Sequence, residues 1–283
     1  MSLQPPSILL MGPSGSGKTH SLSTLIEAGL EVFVLSTEPR GIETFLDVLA
    51  AKKLPLTKAH WRYIPPARRG IDILIKQANM VSFLDQKGLA DQKAGPRTDA
   101  QWIQFLEAIA NFKCERDGKE YGPVDSWGPD RAFVIDSLTG ISSMAMDITI
   151  GTKVTANPGE WGTAQNLIRQ LLLLCQSSLN CFFILTAHTE RENNEITGIQ
   201  QIMASTVGAK LAPKLPQFFS EVVEAYTVSQ GDTRIHLWST NTPNYNVKNR
   251  ALPISTKLEP TFAPVVAAHK ARLAQIEPAT KSA

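Results

Sequence analysis

Residues 12–19 read GPSGSGKT. Glycines at 12, 15 and 17 let a chain turn tightly enough for several backbone N–H groups to converge on one anion. Lys18 adds a full positive charge beside that cradle, suited to the β and γ phosphates of a nucleotide. The Thr19 hydroxyl supplies the kind of oxygen that Mg²⁺ takes as a ligand. Together Gly12, Pro13, Ser14, Gly15, Ser16, Gly17, Lys18 and Thr19 carry the G-x-x-x-x-G-K-[ST] spacing of a phosphate-binding loop. The plain alternative is a flexible turn with a solvated lysine. Phosphate chemistry also asks for a carboxylate near the metal. The apolar run AFVID ends in Asp136, placed to hold Mg²⁺ through water; otherwise an aspartate there is a turn former.

Hydrolysis needs a residue that polarises the attacking water. Many P-loop enzymes put a glutamate directly after the strand-end aspartate, but here that position is Ser137. The stretch LSTEPRG offers Glu38 instead, at the end of the next apolar run. Ligands of parallel sheets gather at the carboxyl ends of strands. Glu38, expected beside the carboxyl edge of the loop's own strand, would then face the γ-phosphate. Its other reading is an acidic residue ahead of a helix starting at Gly41. No N-K-x-D guanine-reading motif is present, so ATP with Mg²⁺ is the expected pair.

These residues need elements to hold them. Apolar runs of strand length alternate with segments of helical period, which predicts an α/β fold with a largely parallel central sheet flanked by helices. Strands are expected at 7–11, 31–36, 61–64, 132–136 and 181–187, and a late antiparallel pair at 222–228 and 234–239 around SQGDT. Helices are expected at 18–28, closed by Gly29, and at 41–52, 71–85, 99–113 and 161–179. Residues 1–255 read as one ATPase core, with 54–130 an elaboration inserted between the second strand and the strand-end aspartate. Residues 256–283 read as a tail, a short helix that frays.

The chain has 283 residues, is 43% hydrophobic and 19% charged, and carries a formal charge of +2. That balance excludes a chain-wide basic surface, so any nucleic-acid contact must be local. The start, MSLQPPSILLMG, lacks a basic segment, and its apolar stretch is too short for a signal peptide or membrane span. Cys114, Cys175 and Cys181 lack metal-ligand spacing and leave one unpaired, which implies a reducing compartment. Cys175 and Cys181 sit in apolar surroundings and read as core. The expected location is cytoplasmic, with no membrane partner.

In their order, these motifs resemble those of the RecA-like ATPases over most of residues 5–255. Gly12–Thr19, Glu38 and Asp136-Ser137 match that family's loop, its catalytic glutamate and its strand-end Asp-Ser. In FILTAHTE, His188 falls where the family carries a polar γ-phosphate sensor, usually glutamine; otherwise it is a structural histidine. In NVKNRALP, Lys248 and Arg250 resemble a V-K-N-K stretch whose cations reach a neighbouring subunit's phosphates in the family's filaments. Alternation on a strand would point both the same way. The likeness is greatest to a compact, often phage-encoded branch that includes single-strand-annealing recombinases. It implies ATP hydrolysis in DNA recombination or annealing, single-stranded DNA as partner, a homo-oligomeric filament or ring, and a single-strand-binding protein as a further partner. The family's two DNA-gripping loops fall at 141–159 and 189–207. Lys153, Lys210 and Lys214 would be their cations, with Trp161 and Phe218 as stacking rings; the other reading is solvated lysines and core aromatics. The second loop departs from the pattern, setting Glu190, Glu192 and Glu195 against Arg191. An acidic loop suits phosphate poorly. A motor or assembly ATPase, or a nucleotide-switched binding module, are the other functions these residues allow.

Overall fold

A computed structural model describes residues 3–38, 40–65, 71–91, 101–151, 153–193, 200–208 and 210–280. The elements in chain order are β1 (Ser7–Met11), α1 (Lys18–Ser21), α2 (Ser23–Glu27), β2 (Glu31–Ser36), α3 (Gly41–Ala51), β3 (Ala59–Tyr63), α4 (Ile71–Phe83), α5 (Gln86–Ala90), α6 (Gln101–Ala110), β4 (Arg131–Asp136) and α7 (Leu138–Ile150). Then follow α8 (Pro158–Ser178), β5 (Phe182–Ala187), β6 (Thr189–Asn193), β7 (Gln200–Ala204), β8 (Glu221–Gln230), β9 (Thr233–Ser239) and α9 (Ala263–Thr280). Seven strands make one sheet in the order β3-β2-β4-β5-β1-β8-β9. Every pairing is parallel except β8 with β9. The α/β architecture is the one the alternating pattern predicts.

Buried strands with apolar residues at every position give each face of the sheet its own core. Leu9, Met11, Phe33, Leu35, Phe133, Ile135, Phe183 and Leu185 pack on one side, against α6, α7 and α8. Their alternates, Ile8, Leu10, Val32, Val34, Ala132, Val134, Phe182 and Ile184, pack on the other against α2 and α3. Phe262, Val265 and Val266 at the start of α9 are buried in that second core. The segment expected to fray therefore enters as a packed helix, and Phe262 N–H donates to Thr24 Oγ1 at 3.0 Å.

The two stretches expected as DNA-gripping loops have regular structure. Residues 141–150 are helical, and α8 starts at Pro158 behind a capping box. Asn157 Oδ1 accepts from Glu160 N–H at 3.0 Å while the Glu160 carboxylate accepts from Asn157 N–H at 2.8 Å. That N-x-x-E signature is written in the sequence. Thr189–Asn193 and Gln200–Ala204 form the antiparallel pair β6–β7, with Thr189 opposite Ala204; Glu195 lies outside the described residues. Lys153 is buried and ion-paired with Glu160 at 2.7 Å, and Phe218 is buried in the core. Neither is disposed to meet DNA, because each is already consumed by packing. Lys210 and Lys214 are exposed, and Trp161 is 42% exposed. Among the described residues no helix is long and apolar enough to cross a membrane.

Candidate active site

The loop between β1 and α1 is shaped by two close approaches. A Cβ on Gly12 would lie 2.1 Å from the Ala225 carbonyl oxygen of β8, so no larger residue fits without moving that strand. Gly17 has φ +87°, in the left-handed region, and a Cβ there would meet the His236 ring at 2.7 Å. Within this turn the Ser16 hydroxyl oxygen is buried and has no hydrogen-bond partner among the described residues. Lys18 Nζ donates to the carbonyls of Gly12 at 2.8 Å and Pro13 at 3.0 Å. Burial pushes the Lys18 ammonium below its usual range, opposed by the charges of Asp136 and Glu38. A cationic side chain folded onto its own loop, an unsatisfied hydroxyl and glycines against β8 and β9 fit a phosphate cradle. Ser14 and Gly15 complete its wall.

Asp136 ends β4 fully buried. Thr19 Oγ1 donates to its Oδ2 at 2.9 Å, and the Thr186 hydroxyl of β5 donates to its Oδ1. Burial raises the carboxyl's pKa and the Thr186 hydrogen bond opposes this. The donor set fits Mg²⁺: a threonine hydroxyl able to ligate and a carboxylate 2.9 Å behind it able to hold the ion's water.

Glu38 stands at the end of β2. Two strands, β4 and β5, separate β2 from β1, so it is not beside the loop's own strand as expected. It reaches the same pocket because all four strands end on that edge of the sheet. The Ser137 hydroxyl donates to Glu38 Oε1, and His188 Nε2 lies 2.9 Å from the same oxygen. A carboxylate only accepts, so Nε2 carries the proton. The His188 hydrogen bond, more than any other influence, holds the Glu38 carboxyl below the usual range; burial opposes it and Ser137 assists. Ser137, notable in the sequence for not being the base, turns out to position it. Thr37 Oγ1 accepts from Ser137 N–H at 2.9 Å and ties the ends of β2 and β4 together.

These groups line one cleft of about 380 Å³, with Ser14 to His20 on one side and Glu38, Asp136 and His188 on the other. Four lining residues escaped the sequence reading: His20, Arg40, Thr44 and His236. His236 comes from β9, stacks with His20 at 5.9 Å and keeps a buried Nδ1 that has no partner among the described residues. Nothing local marks it, because the fold alone brings β9 back over the loop. Thr186 did carry a signal, since it is two residues before His188 on the same strand face.

Lys248 and Arg250 are elsewhere. Neither falls within a described strand: an isolated bridge pairs Val222 with Lys248, and the Glu221 carboxylate of β8 accepts from Arg250 N–H at 3.0 Å. β8 begins there at the amino end of β1, the edge opposite the cleft. Lys248 Nζ donates to Phe219 O at 2.7 Å, and both residues line a separate cavity of about 270 Å³ with His269 and Arg272. Within one chain neither cation is brought to Glu38.

A search of curated proteins found no match. Among solved structures, a KaiC-like protein from the hyperthermophilic archaeon Pyrococcus horikoshii OT3 is 12% identical, covering 89% of this chain and 82% of that one, with a TM-score of 0.40. A likeness that distant carries no argument about function. The family model described as an AAA domain matches residues 4–251. With the loop, the strand-end aspartate and most of the chain inside that match, the protein belongs to the AAA domain family.

Proposed function

We propose that the protein hydrolyses ATP to ADP and phosphate, with Glu38 as the base that activates water. The observation that carries this is the fixed Glu38 carboxylate, held by Ser137 and His188 in the same cleft as Lys18 and the Thr19–Asp136 pair. Bound Mg²⁺ would supply Lewis-acid stabilisation of phosphate charge, held by Thr19 and, through water, by Asp136. The loop N–H groups and Lys18 bind and orient the phosphates, and Lys18 must exchange its two loop carbonyls for them. Glu38 accepts the proton of the attacking water, while His188 keeps its carboxylate aimed and senses the terminal phosphate.

Single-stranded DNA is the proposed effector, and annealing or recombination the process. What supports it is the resemblance in motif order, with half-exposed Trp161 lining a cleft of about 370 Å³ beside Ser142, Ser143, Ser205 and Thr206, and with Lys210 and Lys214 exposed elsewhere on the surface. The deciding measurement is ATP turnover with and without single-stranded DNA across a salt series. Stimulation that fades steeply with salt is expected. Turnover indifferent to DNA, with no binding at low salt in the presence of ATP, would remove DNA from the reading and leave the ATPase intact.

A further inference from the structure

The segment after α6 doubles back through Cys114-Glu115-Arg116-Asp117-Gly118. Cys114 N–H donates to Lys119 O and Gly118 N–H to Cys114 O, both at 2.9 Å, and Gly118 takes φ +69°. A thiol and a carboxylate separated by two residues on such a tight turn have the spacing with which structural metal sites place a ligand pair. His60, on edge strand β3, faces this turn. An imidazole nitrogen of His60, Cys114 Sγ and an Asp117 carboxylate oxygen all lie within 4.8 Å of one another. None of the three lines the nucleotide cleft.

The imidazole is prepared for the role. Its Nε2 lies 2.9 Å from Glu31 Oε1, and the other Glu31 oxygen accepts from Arg131 Nε at 2.9 Å. An acceptor carboxylate at Nε2 fixes the proton there and leaves the Nδ1 lone pair facing the turn. This carboxylate–imidazole support is the usual outer brace of a metal-bound histidine. The ring is clamped between Phe33 at 4.5 Å and Tyr121 at 4.4 Å. A cation already gathers at the spot: Arg116 Nη2 is 3.4 Å from His60 Nδ1 and 2.7 Å from Asp117 Oδ2.

We propose that His60, Cys114 and Asp117 bind a divalent transition metal of the zinc class, with water in the fourth position and Arg116 swung outward. The thiol loses its proton to solvent as the metal–sulfur bond forms. The site would staple the elaborated segment to the edge of the sheet. A search for paired cysteines misses it, because the turn's second ligand is an aspartate and the third comes from a distant strand.

The test is titration of the full chain, stripped with chelator, with Co²⁺ and then Zn²⁺. One equivalent of Co²⁺ should give thiolate-to-cobalt charge-transfer absorption that Zn²⁺ abolishes, and Zn²⁺ should raise the melting temperature at the same stoichiometry. Cys114→Ser should lose that absorption, Asp117→Asn should weaken binding about tenfold or more, and Arg116→Ala should tighten it. No charge-transfer absorption in either the native chain or Arg116→Ala at excess Co²⁺ would overturn the proposal, as would absorption persisting in Cys114→Ser. Should Cys114→Ser fail to fold, unchanged cobalt affinity in Asp117→Asn, whose carboxylate is at the surface, overturns it equally.

Discussion

Among the described residues both donors to Glu38 engage Oε1, one from Ser137 and one from His188. Oε2 is thereby left to take a hydrogen bond from water, as a base must. Glu38→Gln keeps the shape and removes the basicity. It should retain nucleotide affinity and lose turnover by roughly 10²- to 10⁴-fold, read from single-turnover rates beside equilibrium binding. Normal hydrolysis by this variant would move the base elsewhere. The pH dependence follows from sign. Glu38 is held below the ordinary carboxylate range by His188 first, so its basic form persists to lower pH than a free glutamate's. The acid limb of the rate profile set by Glu38 should fall below that ordinary range, and His188→Ala should move it upward. The same depression makes the contacts stabilising above the unfolded-state pKa, an effect lost as pH falls through the lowered folded value.

At the scale of elements, what the sequence makes legible is what repeats or stands in one run. Strand-length apolar runs gave five core strands, and GPSGSGKT gave the loop, because their physics is local. The β6–β7 pair was hidden by its charged residues, which weaken the apolar alternation. The helix over 141–150 was missed in favour of a family loop, although N-P-G-E announces the next helix at once. The parts of the site beyond reach were those defined by contact between distant elements: His236 over Gly17, and Ser137 against Glu38. The last helix is another such case, since its first two turns are ordered by what they cover. Burying Phe262, Val265 and Val266 contributes about 1.5–3 kcal/mol for each side chain, against a typical domain stability of about 5–15 kcal/mol. A chain ending at residue 261 should therefore lose a large share of its stability in urea unfolding. A truncated chain with an unchanged midpoint would show that the second core closes without α9.

For the whole molecule, the two ends of the sheet carry different charged groups. The cleft opens at the carboxyl ends of β1, β2, β4 and β5, while Lys248 and Arg250 cluster at the amino end of β1. A role for these cations in catalysis thus requires a second copy, in a heterologous contact of the kind that makes rings or filaments. Arg250→Ala should slow turnover only under conditions where the native chain's specific rate rises with protein concentration. A concentration-independent native rate, matched by Arg250→Ala, would confine both residues to a structural part. Strand order has a further consequence, in time rather than space. β1 carries the loop and precedes the other described strands in the chain, yet among the described residues its sheet partners are β5 and β8, with Ser7 paired to Phe183 and Ile8 to Glu221. During synthesis the chain must emerge past Phe182–Ala187 before this strand acquires its first neighbour, and past Glu221 before it acquires the second. Loop closure over such separations is slow, so the capacity to grip a nucleotide should lag well behind synthesis of the loop itself, and nucleotide present as β5 and β8 pair with β1 would pull those steps forward.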